Sequence, residues 1–373
     1  MSKTVTGQQV IRVFEEWAPK TLAMEGDNVG LQVGTLNRPV RKIMVTLDVL
    51  ENVIDEAIEK QVNLIIAHHP FLYKSLSQID TNQEKGRIIK KLIQHDITVY
   101  AAHTNLDLAN GGVNDMLIEA LGLESDGAVM ELGNEPLFKL VVFVPESHEE
   151  QVRNALGENG AGHIGNYSHC TFQTPGIGTF KPMEGTNPYI GSQGELEKVK
   201  EVRMETIVPK SKLSIVLKAM EKAHPYEEVA YDLYPVELKG QSYGLGRVAT
   251  LKNPATLKQF AEHVKKALDV PSLRVVGDLN KEIKKVGVIG GNGNKYIHKV
   301  KRSGCDVLIT GDLYFHTAHD ALGIGLNVID PGHHVEKVMK RGVKDYLDKK
   351  CLEQGLEVEI IISEANTEPF TFI

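Results

Sequence analysis

Several histidines and carboxylates of this chain could do metal chemistry together. His68 and His69 are adjacent and precede Pro70, and His103 lies four residues before Asp107. Asp312 is followed by His316 and His319, and Asp330 leads into His333, His334 and Glu336. Imidazole and carboxylate without thiolate suit Zn²⁺, Mn²⁺, Fe²⁺ or Co²⁺ rather than a structural cysteine-zinc site. The set exceeds what one catalytic ion needs, and two ions sharing a bridging carboxylate or water would use it.

Singly, each residue has an ordinary reading. A histidine after a strand is commonly a cap or a surface group, and an aspartate there is a frequent turn residue or N-cap. The elements that carry them give the joint meaning. Residues 42–48, 63–67 and 98–102 read as strands, with helices at 51–60 and 87–95 between them. Such alternation implies βαβ units and a parallel sheet, and the run Leu64-Ile65-Ile66 suits a strand buried on both faces.

The last third returns to the same rhythm. Strands are expected at 243–251, 273–276, 285–290, 305–310, 327–330 and 356–362, with helices at 255–268, 295–303, 314–322 and 334–350. In open α/β sheets ligands bind at the carboxyl ends of the strands. Here four such ends run into His68, His103, Asp312 and Asp330, so one sheet edge collects the imidazoles and carboxylates. Adjacent residues on an extended chain point to opposite faces. His68 and His69 therefore both ligate only if the chain turns at Pro70 and the ions flank the strand end; His103 has no such claim and is placed beside substrate.

The middle third differs. Strand, helix, strand, strand, helix, strand are expected at 138–145, 148–157, 167–172, 200–208, 212–224 and 229–236, the ferredoxin-like order. The expected domains are an N-terminal α/β lobe at 1–130, an inserted α+β domain at 131–236 and a C-terminal α/β lobe at 237–373. A Gly/Pro-rich segment spans Pro175 to Gly194 inside the insert, and His224-Pro225-Tyr226-Glu227-Glu228 is conspicuously polar. The latter reads best as a helix stop leading into a strand. Gly290-Gly291-Asn292-Gly293 resembles a phosphate-cradling loop but lacks the Walker lysine, and reads equally as a tight turn near the site. Asp27-Asn28-Val29-Gly30 is either a turn or part of the cleft wall, and Trp17 belongs to the core.

Composition narrows the class. The 373 residues are 42 % hydrophobic and 24 % charged, which excludes disorder and low complexity as descriptions of the whole chain. A net charge of −7 argues against generic nucleic-acid binding through a basic surface. Cys170, Cys305 and Cys351 form no CxxC, which fits a reducing compartment. The N-terminus reads as a short amphipathic helix without a secretory apolar core, and no stretch reaches the length of a membrane span. A cytoplasmic location is expected.

Taken together, Gly26-Asp-Asn-Val-Gly-Leu-Gln-Val33, Ala67-His-His-Pro70, His103-Thr-Asn-Leu-Asp107, Ile309-Thr-Gly-Asp312 and Asp330-Pro-Gly-His-His-Val-Glu336 resemble the GTP cyclohydrolase 1 type 2 homolog family, the Nif-three-like proteins. The middle unit, with Gly160-Ala-Gly-His-Ile-Gly-Asn-Tyr167 and Ala223-His-Pro-Tyr-Glu-Glu228, resembles the PII/CutA-like insert of the longer bacterial members. The resemblance implies a two-lobed α/β body, a dinuclear metal centre between the lobes and a ring-shaped homohexamer. Carried over by motif, the ligands are His68, His69, Asp107, His333 and Glu336, with two divalent ions per subunit (Zn, Fe, Mn or Co). Some relatives space the last His and Glu four apart where this chain has three, so His334 stands as an alternative to His333.

The family name implies opening of the guanine imidazole ring of GTP by metal-activated water, with His103 or His319 as general acid or base. The small-molecule substrate would then be GTP or another nucleotide. Two other readings stand beside it: a metal-dependent phosphoester hydrolase, and a regulator that senses a ligand through the inserted domain.

Overall fold

The apolar run Leu64–Ala67 is buried throughout and lies at the centre of a five-stranded sheet. In a computed structural model describing residues 4–373, the strands of that sheet are ordered Gly30–Val33, Thr98–Ala101, Leu64–Ala67, Lys42–Thr46 and Glu359–Ile362. All run parallel except Gly30–Val33, which pairs antiparallel with Thr98–Ala101. A six-stranded sheet is ordered Arg274–Val276, Asn327–Asp330, Val307–Gly311, Glu282–Asn292, Arg247–Thr256 and Ser125–Gly127. Its three strands at Asn327–Asp330, Val307–Gly311 and Glu282–Asn292 are mutually parallel, and the flanking strands are antiparallel.

Both sheets feed one apolar core. Ile43, Ile66 and Tyr100 from the first sheet and Val286, Val307 and Ile309 from the second belong to it. Helices Gly7–Glu15, Val113–Ala120, Leu257–Ala267 and Val338–Glu353 add Phe14, Leu117, Val264 and Met339. A shared core makes one compact unit of the residues up to Leu132 with Tyr243–Ile373, and Gly133–Ser242 forms a second. The start of the first helix is fixed by a capping box between Thr6 and Gln9. The first three residues of the expected N-terminal helix lie outside the described residues.

The second unit has an antiparallel sheet ordered Tyr231–Val236, Leu137–Pro145, Glu197–Pro209 and Thr171–Phe180. Helices Glu149–Glu158 and Leu213–Ala223 supply Val152, Leu156, Val216 and Met220 to its own core, with Leu140, Val142, Met204 and Val208 from the sheet. Chain order here is strand, helix, two strands, helix, strand.

Among the departures from the sequence expectation, three have a plain physical reason. The strand expected at 167–172 runs instead from Thr171 to Phe180, straight through Pro175. It is an edge strand, where a missing N–H interrupts no second ladder. The strand expected at 243–251 is two strands, broken at Gly246, whose φ of 65° only glycine adopts freely. The helix expected from His334 begins as a 3-10 turn, His333–Lys337, before the α-helix Val338–Glu353. Among the described residues no helix is long and apolar enough to cross a membrane.

Candidate metal centre

Backbone bonds carry the parallel ladder past the ends of its strands. The His68 and His69 N–H groups donate to the Thr46 and Leu47 carbonyls at 3.1 and 2.9 Å. Both histidines are thereby fixed relative to the neighbouring strand. The Ala102 N–H donates to the Ala67 carbonyl at 2.8 Å, which sets the approach to His103. His103 caps the short helix Thr104–Leu108, and one turn of that helix brings Asp107 back to the same edge. From the other sheet, the 3-10 turn supplies His333 and Glu336. Residues three apart eclipse one another in a 3-10 helix, and His333 Nε2 lies 3.0 Å from Glu336 Oε2. The spacing of three is matched to this turn.

Four imidazoles are locked in the same sense. The Nδ1 of His68 meets the Ala102 carbonyl at 2.8 Å, that of His69 meets Asp48 at 2.7 Å, that of His103 meets Asp27 at 2.9 Å and that of His333 meets Asp312 at 2.7 Å. An Nδ1–H donating to a carbonyl or carboxylate leaves Nε2 with its lone pair available, and such partners fix both tautomer and ring direction. The Nε2 atoms of His69 and His68 lie 3.1 and 3.8 Å from Glu336 Oε2. That oxygen, on a side chain only 3 % exposed, is the hub of the cluster.

Ligand atoms of His68, Asp107 and Glu336 lie within 4.8 Å of one another, as do those of His69, His333 and Glu336 and those of His68, His69 and His103. Among the described residues, His68 Nε2 and Asp107 Oδ1 are buried without a hydrogen-bond partner. Leaving two such groups unpaired costs ~1–3 kcal/mol each. Both atoms are good metal donors, so the residues present fit a divalent cation.

Electrostatics agree with that fit. Burial alone would depress the His69 pKa, but hydrogen bonds to Asp48 and Glu336 push it up to about 10. Burial likewise opposes charge on His333, and Glu336 and Asp312 push it up to about 9. At His68 burial is again opposed, by Asp107 and Glu336, and the balance is upward. Glu336 is held well below the usual carboxylate range, because His333, His68 and His69 outweigh its burial. Desolvation raises Asp107. The cluster thus favours positive charge among its buried groups.

The glycine run 290–293 walls this cluster. A Cβ on Gly290 would come within 2.9 Å of Glu336 Oε1, and one on Gly291 within 3.0 Å of the same atom and 3.2 Å of His333 Nε2. This run is therefore a close wall of the site, with Gly290 to Asn292 forming the end of the strand Glu282–Asn292 rather than a tight turn.

The remaining candidates lie elsewhere. His334 turns away, its Nε2 meeting Thr367 Oγ1 at 3.2 Å, and the structure brings His333 to the cluster in its place. His319 belongs to none of the ligand groupings; it is exposed, its ring centroid 4.8 Å from that of Phe315. Asp330 accepts from Arg274, from the Leu313 N–H and from the Gly332 N–H, which makes it a structural brace. Two aspartates were missed as orienting groups. Asp48 ends a strand in the sequence pattern with nothing to mark it, and Asp27 reads either as a turn residue or as part of the cleft wall, with nothing to show that it orients His103. The Asp27 carboxylate overcomes its burial by bonding His103 and Thr104, and its pKa falls to about 2.

The Duf34/NIF3 (NGG1p interacting factor 3) family profile matches residues 5–369, virtually the whole chain. The chain belongs to the Duf34/NIF3 family. A Bacillus subtilis relative described as a GTP cyclohydrolase 1 type 2 homolog is 59 % identical over 373 residues, covering 100 % of both chains. One from Listeria monocytogenes with the same description is 51 % identical over 371 residues, covering 99 % of this chain and 100 % of the relative. Among solved structures, a Bacillus cereus protein related to NIF3 superposes with a TM-score of 0.92 at 54 % identity, covering 100 % of both chains. A Staphylococcus aureus protein superposes with a TM-score of 0.74 at 33 % identity over the same full coverage. The mixed α/β fold and the His/Asp/Glu clusters are thus those of a Duf34/NIF3 chain with candidate metal-binding groups.

Proposed function

We propose that the chain is a metal-dependent hydrolase holding two divalent ions, with His68, His69, Asp107, His333 and Glu336 as ligands. The reading rests on one observation: the Nε2 atoms of His68, His69 and His333 surround a single Glu336 oxygen, while His68 Nε2 and Asp107 Oδ1 lie 3.6 Å apart and, among the described residues, neither has a hydrogen-bond partner. Glu336 joins two of the three ligand groupings and is the proposed shared carboxylate. Bound divalent ions supply Lewis-acid polarisation and a lowered pKa for water at neutral pH.

The chain's own residues would do the rest. Asp27 holds His103 by Nδ1, and the 24 % exposed side chain leaves Nε2 as the group that takes up or returns a proton. Asp312 orients the half-exposed His333 at the mouth of the cluster in the same way. His319, expected as an alternative acid–base group, lies in none of the ligand groupings, so His103 is the acid–base group proposed. The Gly290–Gly291 backbone excludes water from one side of Glu336.

The relatives' description as GTP cyclohydrolase 1 type 2 homologs favours GTP as substrate, and the reaction proposed is hydrolytic opening of its imidazole ring with release of formate. In this reading residues 1–130 and 237–373 are two lobes of the body, and 131–236 is a ferredoxin-like, PII/CutA-like insert. The assembly is a cytoplasmic homohexamer. The test is a substrate panel on metal-loaded protein. Metal-dependent formate release from GTP, abolished in His103→Ala, supports the proposal. Phosphate release instead would establish the phosphoester reading, and no turnover on any substrate would favour the regulatory one.

A further inference from the structure

Two segments the metal centre leaves unused, the Gly/Pro-rich run and the Tyr226-Glu227-Glu228 run, meet in the second unit. They line a cavity of about 530 Å³, the first through Phe180 and Tyr189 among others, together with Phe143 and Glu201. That volume is in the range of small-molecule sites. We propose that this cavity binds a small organic cation of the amine or guanidinium class.

Its floor is a buried carboxylate. Glu201 is 8 % exposed, and its Oε1 accepts the Tyr226 hydroxyl at 3.1 Å. No ion pair is formed by Glu201 among the described residues. With one neutral donor, this carboxylate keeps acceptor capacity that a cationic donor in the cavity can use. The carboxylate reaches its position across Gly178, where a Cβ would come within 2.0 Å of Oε2. A side chain there would displace it, so glycine is what opens the floor to the cavity.

The walls are aromatic. Phe180 and Tyr226 have ring centroids 5.6 Å apart, and Tyr189 and Tyr226 have centroids 6.4 Å apart. Tyr226 is held by its own backbone, whose N–H donates to His224 Nδ1 at 3.1 Å while His224 Nε2–H donates to the Phe143 carbonyl at 2.9 Å. With one nitrogen accepting, that imidazole is neutral and adds no positive charge. Aromatic faces attract cations, more strongly when these are desolvated. The lining includes the carboxylates of Glu201, Glu227 and Glu228 against the single cation Lys181. Glu227 also receives the Asn187 N–H at 3.0 Å, which ties the Gly/Pro-rich run to the rim. An anion would meet a net negative lining; a cation with a short hydrocarbon stem meets charge and ring faces together.

The experiment is calorimetric titration of the full chain with agmatine and spermidine, with inorganic phosphate and N-butylacetamide as anionic and neutral controls. The proposal requires saturable binding of at least one cation at one per chain. Glu201→Gln, which keeps shape and the tyrosine hydrogen bond, should weaken it by roughly tenfold or more, as for loss of a charge-assisted contact. Metal content and melting temperature should be unchanged. If Glu201→Gln fails to fold, Tyr189→Ala, at a 55 % exposed position, should weaken the same binding. No saturable cation binding, equal affinity in the folded variant, or comparable binding of phosphate or the amide would overturn the assignment.

Discussion

Nε2 of His69 lies 3.1 Å from Oε2 of Glu336, although 267 positions separate the two residues. One stands at a strand end of the five-stranded sheet, the other on the 3-10 turn after the six-stranded sheet. The ligand cluster therefore exists only when the shared core is closed, and a cation bound there is linked to folding. Loading should raise the melting temperature, by the equivalent of about 2.7 kcal/mol at a hundredfold excess over Kd. Calorimetric scans before and after chelation would check this; identical midpoints would break the link.

The aspartates behind the imidazoles should matter almost as much as the ligands. Asp48→Asn keeps size but can no longer hold His69 in its Nδ1–H tautomer so firmly. Loss of such partners typically lowers metal affinity 10–100-fold. Competition with a metal-binding dye should show that drop while circular dichroism stays unchanged.

Histidine replacements separate ligand from acid–base group. His68→Ala and His69→Ala should each lose about one ion per chain, as expected for one ligand per ion in a paired site. His103→Ala should retain both and lose turnover. Elemental analysis that finds His103→Ala as depleted as His68→Ala would place His103 on the metal, which its grouping with His68 and His69 makes a sharp test.

Away from the site, Glu56 gives a pH-dependent contribution to stability. Burial would raise its pKa, but the Glu364 N–H, Lys60, the Ser363 hydroxyl and the Ala365 N–H bring it from 4.5 down to about 2. A depressed carboxylate stabilises the fold above the unfolded pKa and loses that contribution as pH falls through the folded one. Urea unfolding should therefore show Glu56→Gln less stable by about 1–3 kcal/mol at pH 7. The gap should narrow between pH 4.5 and about 2.

The strand-end rule gathers His68, His69, His103, Asp107, Asp312, His316, His319, Asp330, His333, His334 and Glu336 from the sequence, because apolar runs mark strands and polar residues follow them directly; which of these are ligands is implied only by the family resemblance. Asp48 was not legible, since its role depends on which strand lies beside Leu64–Ala67. The fate of His334 was equally hidden. A continuous α-helix and a 3-10 turn share one hydrophobic pattern over so few residues, yet the turn decides which neighbour faces Glu336. In the second unit, edge position let a strand run through Pro175, which local propensity reads as its end.

The metal centre is probed most directly by quantitative metal analysis of the full chain and of Glu336→Ala. About two divalent ions per chain are expected, the number a shared-carboxylate site holds, with loss of both in the variant while its fold stays intact. A parent chain that takes up no metal after loading, or a Glu336→Ala chain that keeps the full content, would contradict the two-ion assignment.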